Sequence, residues 1–183
     1  MVSMTTIAVI VGSLRKASIN RKLAKALVRL APADVVFDWV EIGDLPLYNQ
    51  DDDEAQAASV QRVKAQIAHA DGLLIVTPEH NRTIPAALKN VLDHGSRPYG
   101  KNVWAGKAAG VLGTSPGGIG TALAQQHLRG VLAALGVRVL PQPDAYLQYR
   151  EGMVTEDGEI GEASREFLQK WLNGALAWVT KGL

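Results

Sequence analysis

The chain has 183 residues, 19 Lys and Arg against 18 Asp and Glu, and no cysteine. One domain spanning residues 1–183 is expected, long enough to bury roughly 70% of its unfolded surface without a metal or disulfide staple. A net charge of +1 disfavours nucleic acid and membrane as partners. The missing cysteines exclude disulfides, thiolate nucleophiles and iron–sulfur clusters, so any redox chemistry needs an organic cofactor.

Met1-Val2-Ser3-Met4 lacks the basic region of a targeting signal, and no apolar stretch nears the roughly 18 residues of a spanning helix. The expected location is the cytoplasm. Residues 7–11 form an apolar run ending at Gly12, which reads as a strand buried on both faces. A helix over 19–30 follows, then a strand over 35–40. Residues 45–50 form a loop broken by Pro46, and a helix is expected over 55–70, with Asp51-Asp52-Asp53-Glu54 at its start. A strand over 72–77 is stopped by Pro78. A helix over 85–95, a strand over 108–112, a helix over 119–135 closed by Gly136 and a strand over 137–140 come next. Residues 150–161 read as an exposed polar loop before an amphipathic helix over 161–181.

Five strands alternating with helices predict a parallel sheet covered on both faces: an α/β three-layer sandwich in the flavodoxin-like order 2-1-3-4-5. In that order a ligand lies beyond the carboxyl ends of the strands, so the loops after strands one, three and four should carry function.

The first of these, Gly12 to Arg21, offers Ser13, Ser18 and Asn20 beside a helix start, with Arg15 as a forked cation. That is a phosphate cradle built from hydroxyls. It lacks the Gly-Lys-Ser/Thr ending of an NTPase loop and the three glycines of a dinucleotide fingerprint. In the plainer reading Ser18 only caps the helix and Arg15 is solvated. The second loop, Thr77 to Pro85, holds an ordered backbone between two prolines and can edge a planar heterocycle, or it is a rigid turn capped by Asn81 or Thr83. The third, Gly113 to Gly120, permits close backbone approach, or is a turn capped by Ser115 or Thr114. Convergence of all three is more specific than any one.

At these residues the chain resembles the NADPH-dependent FMN reductase family, in the branch that contains quinone and chromate reductases. The matching stretches are 12–24 (Gly-Ser-Leu-Arg-Lys-Ala-Ser-Ile-Asn-Arg-Lys-Leu-Ala), 44–51 (Asp-Leu-Pro-Leu-Tyr-Asn-Gln-Asp) and 77–85 (Thr-Pro-Glu-His-Asn-Arg-Thr-Ile-Pro). Residues 88–93, 96–98 and 126–129 also fit. The resemblance implies a single flavodoxin-like domain binding FMN without covalent linkage. By it, Ser13, Arg15, Ser18, Ile19 and Asn20 would hold the phosphate. Pro78, Glu79, His80 and Asn81 would line the ring system, largely through backbone groups, and Ser115, Gly117 and Gly118 would complete the site. It also implies a homodimer or homotetramer with flavin sites near subunit interfaces. Three positions depart from the family pattern: Ala17 for its Gly, His80 for its Tyr and His94 for its Trp.

The implied reaction passes hydride from NADPH or NADH through FMN to quinones, free flavins, azo compounds or oxidised metal ions such as chromate. No side chain is assigned acid–base catalysis. Arg82 and Arg97 are candidates for nucleotide phosphates or an anionic acceptor, or else form surface salt bridges. No metal is expected, since the histidines lack ligand spacing and His69 and His127 read as surface helical residues. The rivals are a flavodoxin-type electron carrier without its own NAD(P)H oxidation, usually strongly acidic, and a nucleotide-binding regulator that uses no flavin.

Overall fold

A computed structural model describes residues 4–181; residues 1–3, at the start where no targeting signal is expected, and residues 182–183 lie outside the described residues. Among the described residues there are six strands: β1 Thr5–Val11, β2 Val35–Val40, β3 Gly72–Val76, β4 Ala108–Ser115, β5 Arg138–Val139 and β6 Tyr146–Gln148. Five α-helices accompany them: α1 Ile19–Val28, α2 Ala58–His69, α3 Ala86–Gly95, α4 Ala122–Ala134 and α5 Glu162–Thr180. The sheet runs β2-β1-β3-β4-β5, all parallel, in the order expected from the sequence.

Alternation along the strands feeds two cores. From β1, Ala8 and Ile10 pack with Val63 and Ile67 of α2, Leu88 and Leu92 of α3, and Leu128 of α4. Ile7, Val9 and Val11 point the other way, into Leu23 and Leu27 of α1 and Leu168, Trp171 and Leu172 of α5. Both faces of β1 are therefore dry, which is why it reads as a continuous apolar run.

Three elements differ from expectation. β5 is only two residues long, because Pro141 and Pro143 follow and lack the N–H a ladder needs. The chain then returns to the same neighbour further along, where β6 pairs Tyr146, Leu147 and Gln148 with Gly113, Thr114 and Ser115. The acidic run Asp51 to Glu54 does not begin a helix. Gln50–Asp52 form a 3₁₀ turn capped by Asn49, and α2 starts only at Ala58. The 150–161 segment is not simply exposed: Met153 and Ile160 are buried, and Val154 bridges Ile160.

Close approach at the carboxyl ends depends on glycine. A Cβ at Gly113 would collide with the Thr77 carbonyl and the Thr121 hydroxyl. Gly120 has φ +63°, and a Cβ there would lie 2.7 Å from the Leu147 nitrogen.

Candidate active site

The loops after β1, β3 and β4 wall one cleft of about 560 Å³ at the carboxyl ends of the strands. Ser13, Arg15, Ser18, Ile19, Asn20, Pro78, Glu79, His80 and Ser115 all line it. Asn81, Gly117 and Gly118 do not, although they belong to the same loops. Sequence reasoning overlooked Leu14, the Pro85–Ala87 helix start and Thr114 as walls.

Ser18 is the N-cap of α1, and its Oγ accepts from the Arg21 N–H at 3.1 Å. Capping and anion binding coexist there, because the hydroxyl proton is still free to donate. Among the described residues, the N–H groups of Ile19 and Asn20 find no protein acceptor. Two unpaired amides at a helix start make an anion site. Arg15 is exposed at the cleft and pairs with no carboxylate among the described residues. Ala17 has no positive φ, so the glycine usual in the family is not required.

Asn20 has a second duty. Its Nδ2 donates to the Thr114 carbonyl at 2.9 Å, and its Oδ1 accepts from the Thr114 N–H at 2.9 Å. One amide proton remains for a ligand. The Ser115 hydroxyl turns into its own loop, donating to the Gly120 carbonyl at 2.7 Å, so what it offers the cleft is backbone.

The second loop closes in a tight turn. His80 and Thr83 exchange two backbone hydrogen bonds of 3.0 Å, and Asn81 and Arg82 between them have φ +49° and +67°. Both central residues in the left-handed region make a type I′ turn, strained at arginine. His80 is exposed at the cleft. Thr83 Oγ1 meets His127 Nδ1 at 2.9 Å, so His127, which reads from sequence as a free surface residue, holds this loop. The available signal was its membership of the matching 126–129 stretch.

Arg82 is 67% exposed and reaches Glu79 at 3.4 Å. Arg97 lies outside the cleft wall: its Nε and Nη2 both hold Asp53 Oδ2 at 3.2 Å. Asp53 in turn lines a second cleft of about 280 Å³ beside α3, together with Tyr48 and His94 among others. There His94 is buried, its Nε2 2.9 Å from the Pro46 carbonyl and its ring edge-on to Tyr48. Lys64 donates to the Arg97 carbonyl; burial pushes its ammonium below the usual range, Lys101 adds to that and Asp53 opposes it.

The donor set fits FMN. Unpaired amides, hydroxyls and a free guanidinium gather at one end, and the cleft has the volume of a cofactor site, with prolines and backbone along its length. A parallel sheet in this order, with an anion site after its first strand and peptide edges after its third and fourth, defines the flavodoxin-like flavin-binding class. The chain belongs to the NADPH-dependent FMN reductase family, whose profile matches residues 5–151. It is similar to the 2-hydroxy-1,4-benzoquinone reductase of a Burkholderia species, 52% identical over 174 residues that cover 94% of this chain and 95% of that one. A quinone reductase of Pseudomonas putida is 43% identical over 175 residues, covering 95% and 94%. Among solved structures, the flavoenzyme NAD(P)H:(acceptor) oxidoreductase FerB of Paracoccus denitrificans superposes with a TM-score of 0.94. It is 44% identical, with 98% of this chain and 99% of that one covered. The chain is thus an NAD(P)H-dependent oxidoreductase that works through FMN.

Proposed function

We propose that this enzyme is an NAD(P)H:quinone reductase whose FMN lies in the three-loop cleft, phosphate toward α1. The observation that carries this is the pair of unpaired amides at Ile19 and Asn20, joined by Ser13, Ser18 and Arg15 on one wall. Bound FMN supplies the hydride-accepting and electron-passing chemistry. The protein binds and orients: α1 neutralises the phosphate dianion, while Pro78, Glu79 and His80 present backbone to the ring edge. Thr114, Ser115 and Pro116 close the third side.

Quinone acceptors are favoured by the reductases at 52% and 43% identity, the first of which is named for 2-hydroxy-1,4-benzoquinone. Arg15 and Arg82, exposed near the cleft, suit the phosphates of either pyridine nucleotide. Arg97 is spoken for by Asp53. A homodimer or homotetramer is supported by large apolar groups left in water, Leu47 at 83% and Tyr99 at 92% exposure. The cytoplasm, where NAD(P)H is made, is the proposed location; no helix among the described residues is long and apolar enough to cross a membrane.

Titration with FMN and riboflavin tests the cleft, and turnover with 2-hydroxy-1,4-benzoquinone, 1,4-benzoquinone and chromate tests the acceptor. FMN should bind at least tenfold tighter than riboflavin, as a charge-assisted phosphate contact requires. Both quinones should outpace chromate. Equal affinity for the two flavins refutes the phosphate site, and chromate outpacing both quinones refutes the acceptor.

A further inference from the structure

The carboxylate of Glu79 does something that a loop residue lining a flavin cleft need not do. Its side chain is only 8% exposed. Its Oε2 accepts from the backbone N–H groups of Leu123, at 3.0 Å, and Ala124, at 3.1 Å. These are the second and third residues of α4, and the helix has no cap of its own: Thr121 makes no side-chain capping bond, its hydroxyl instead accepting from Gln125. The cap of α4 is therefore supplied by the second loop, from 44 residues earlier in the chain.

The third loop runs directly into α4. One carboxylate thus ties the second loop to the end of the third, and these two loops carry the peptide groups that face the ring. The remaining oxygen, Oε1, is held by Arg82 at 3.4 Å. With both oxygens engaged, Glu79 has the geometry of a brace and not of a proton shuttle. The other end of the same turn is tied to the same helix, through Thr83 and His127.

We infer that Glu79 is a positioning residue: its carboxylate locks the second loop onto the N-terminus of α4, and so sets both the affinity for FMN and the charge beside the ring. The inference rests on the FMN reading above. The helix start is a partial positive charge, and Glu79 offsets it at the cleft wall.

The test compares wild type with Glu79→Ala and Glu79→Gln as full-length protein. FMN affinity is read by flavin fluorescence, bound-flavin midpoint potential by anaerobic titration, and folding by thermal melting. Alanine should weaken FMN about tenfold, as expected for hydrogen bonds lost by a charged acceptor. Glutamine keeps an acceptor for the α4 amides and should recover most of that loss. Both variants should move the midpoint potential in the positive direction, because each removes a negative charge that screens the helix start; a role confined to folding moves neither potential. Wild-type FMN affinity in the alanine variant, equal loss in both variants, or an unshifted potential in both overturns the inference. A wild-type protein that binds no FMN refutes the cofactor reading itself, and is seen before the variants are compared.

Discussion

Asn20 and Thr114 exchange two hydrogen bonds, the side-chain amide of one against the backbone N–H and carbonyl of the other, both 2.9 Å and both buried. The amide acts as one more residue of a β-ladder, placed at the start of α1. It joins the first loop to the carboxyl end of β4, where the third loop departs. The two walls of the cleft therefore keep their spacing without a ligand.

Replacing Asn20 with alanine leaves a buried donor and a buried acceptor of Thr114 without partners. We expect a loss of about 2–3 kcal/mol, measured by urea unfolding of the apoprotein. FMN affinity should fall with it, since the walls lose their spacer. Unchanged unfolding in the variant would mean that water replaces the amide.

Ser18 separates capping from ligand binding. In Ser18→Ala, loss of the bond to the Arg21 amide should cost about 1 kcal/mol of stability. Loss of the free hydroxyl proton should weaken FMN about tenfold while leaving riboflavin affinity as it was. Parallel weakening of both flavins would place the phosphate elsewhere.

Tyr146 gives a pH signature. Burial raises its phenol above the ordinary value of 10.0, and the neighbouring Asp144 raises it further; the bond donated by Gln126 and the charge of Arg129 act in the opposite sense. The folded state thus keeps this proton to higher pH than the unfolded chain does. Its stabilising contribution is complete below pH 10 and is lost as pH rises through the folded value. The stability difference between wild type and Tyr146→Phe should therefore be flat from pH 7 to 9 and shift against wild type above pH 10. A flat difference throughout contradicts the raised phenol.

Much of this was legible in the residues. β1, β3 and β4 are buried on both faces, so each appears as an unbroken apolar run, and the order of runs and helices fixes the topology. The place of the first loop at the cleft was legible because it leaves the first strand at the carboxyl edge of the sheet and opens α1. β6 was not: three residues, Tyr146-Leu147-Gln148, carry no period, and no crossover helix announces their parallel pairing with β4. The acidic run 51–54 suits a helix start by charge, yet the real α2 begins at Ala58 after Asp53 is drawn to Arg97. The partners of Asn20, Glu79 and His127 lie 44 to 94 residues away, and local pattern holds no trace of them. Sequence named Glu79 and Asn20 as ligand contacts; their side chains are first the fasteners that hold the loops together.

Reduction of the FMN-loaded enzyme by pyridine nucleotide, followed anaerobically by stopped-flow absorbance, bears most directly on the assignment. NADPH or NADH should bleach the flavin band rapidly, and a quinone added afterwards should restore it. Tight FMN binding without bleaching by either donor would contradict a reductase and leave an electron carrier.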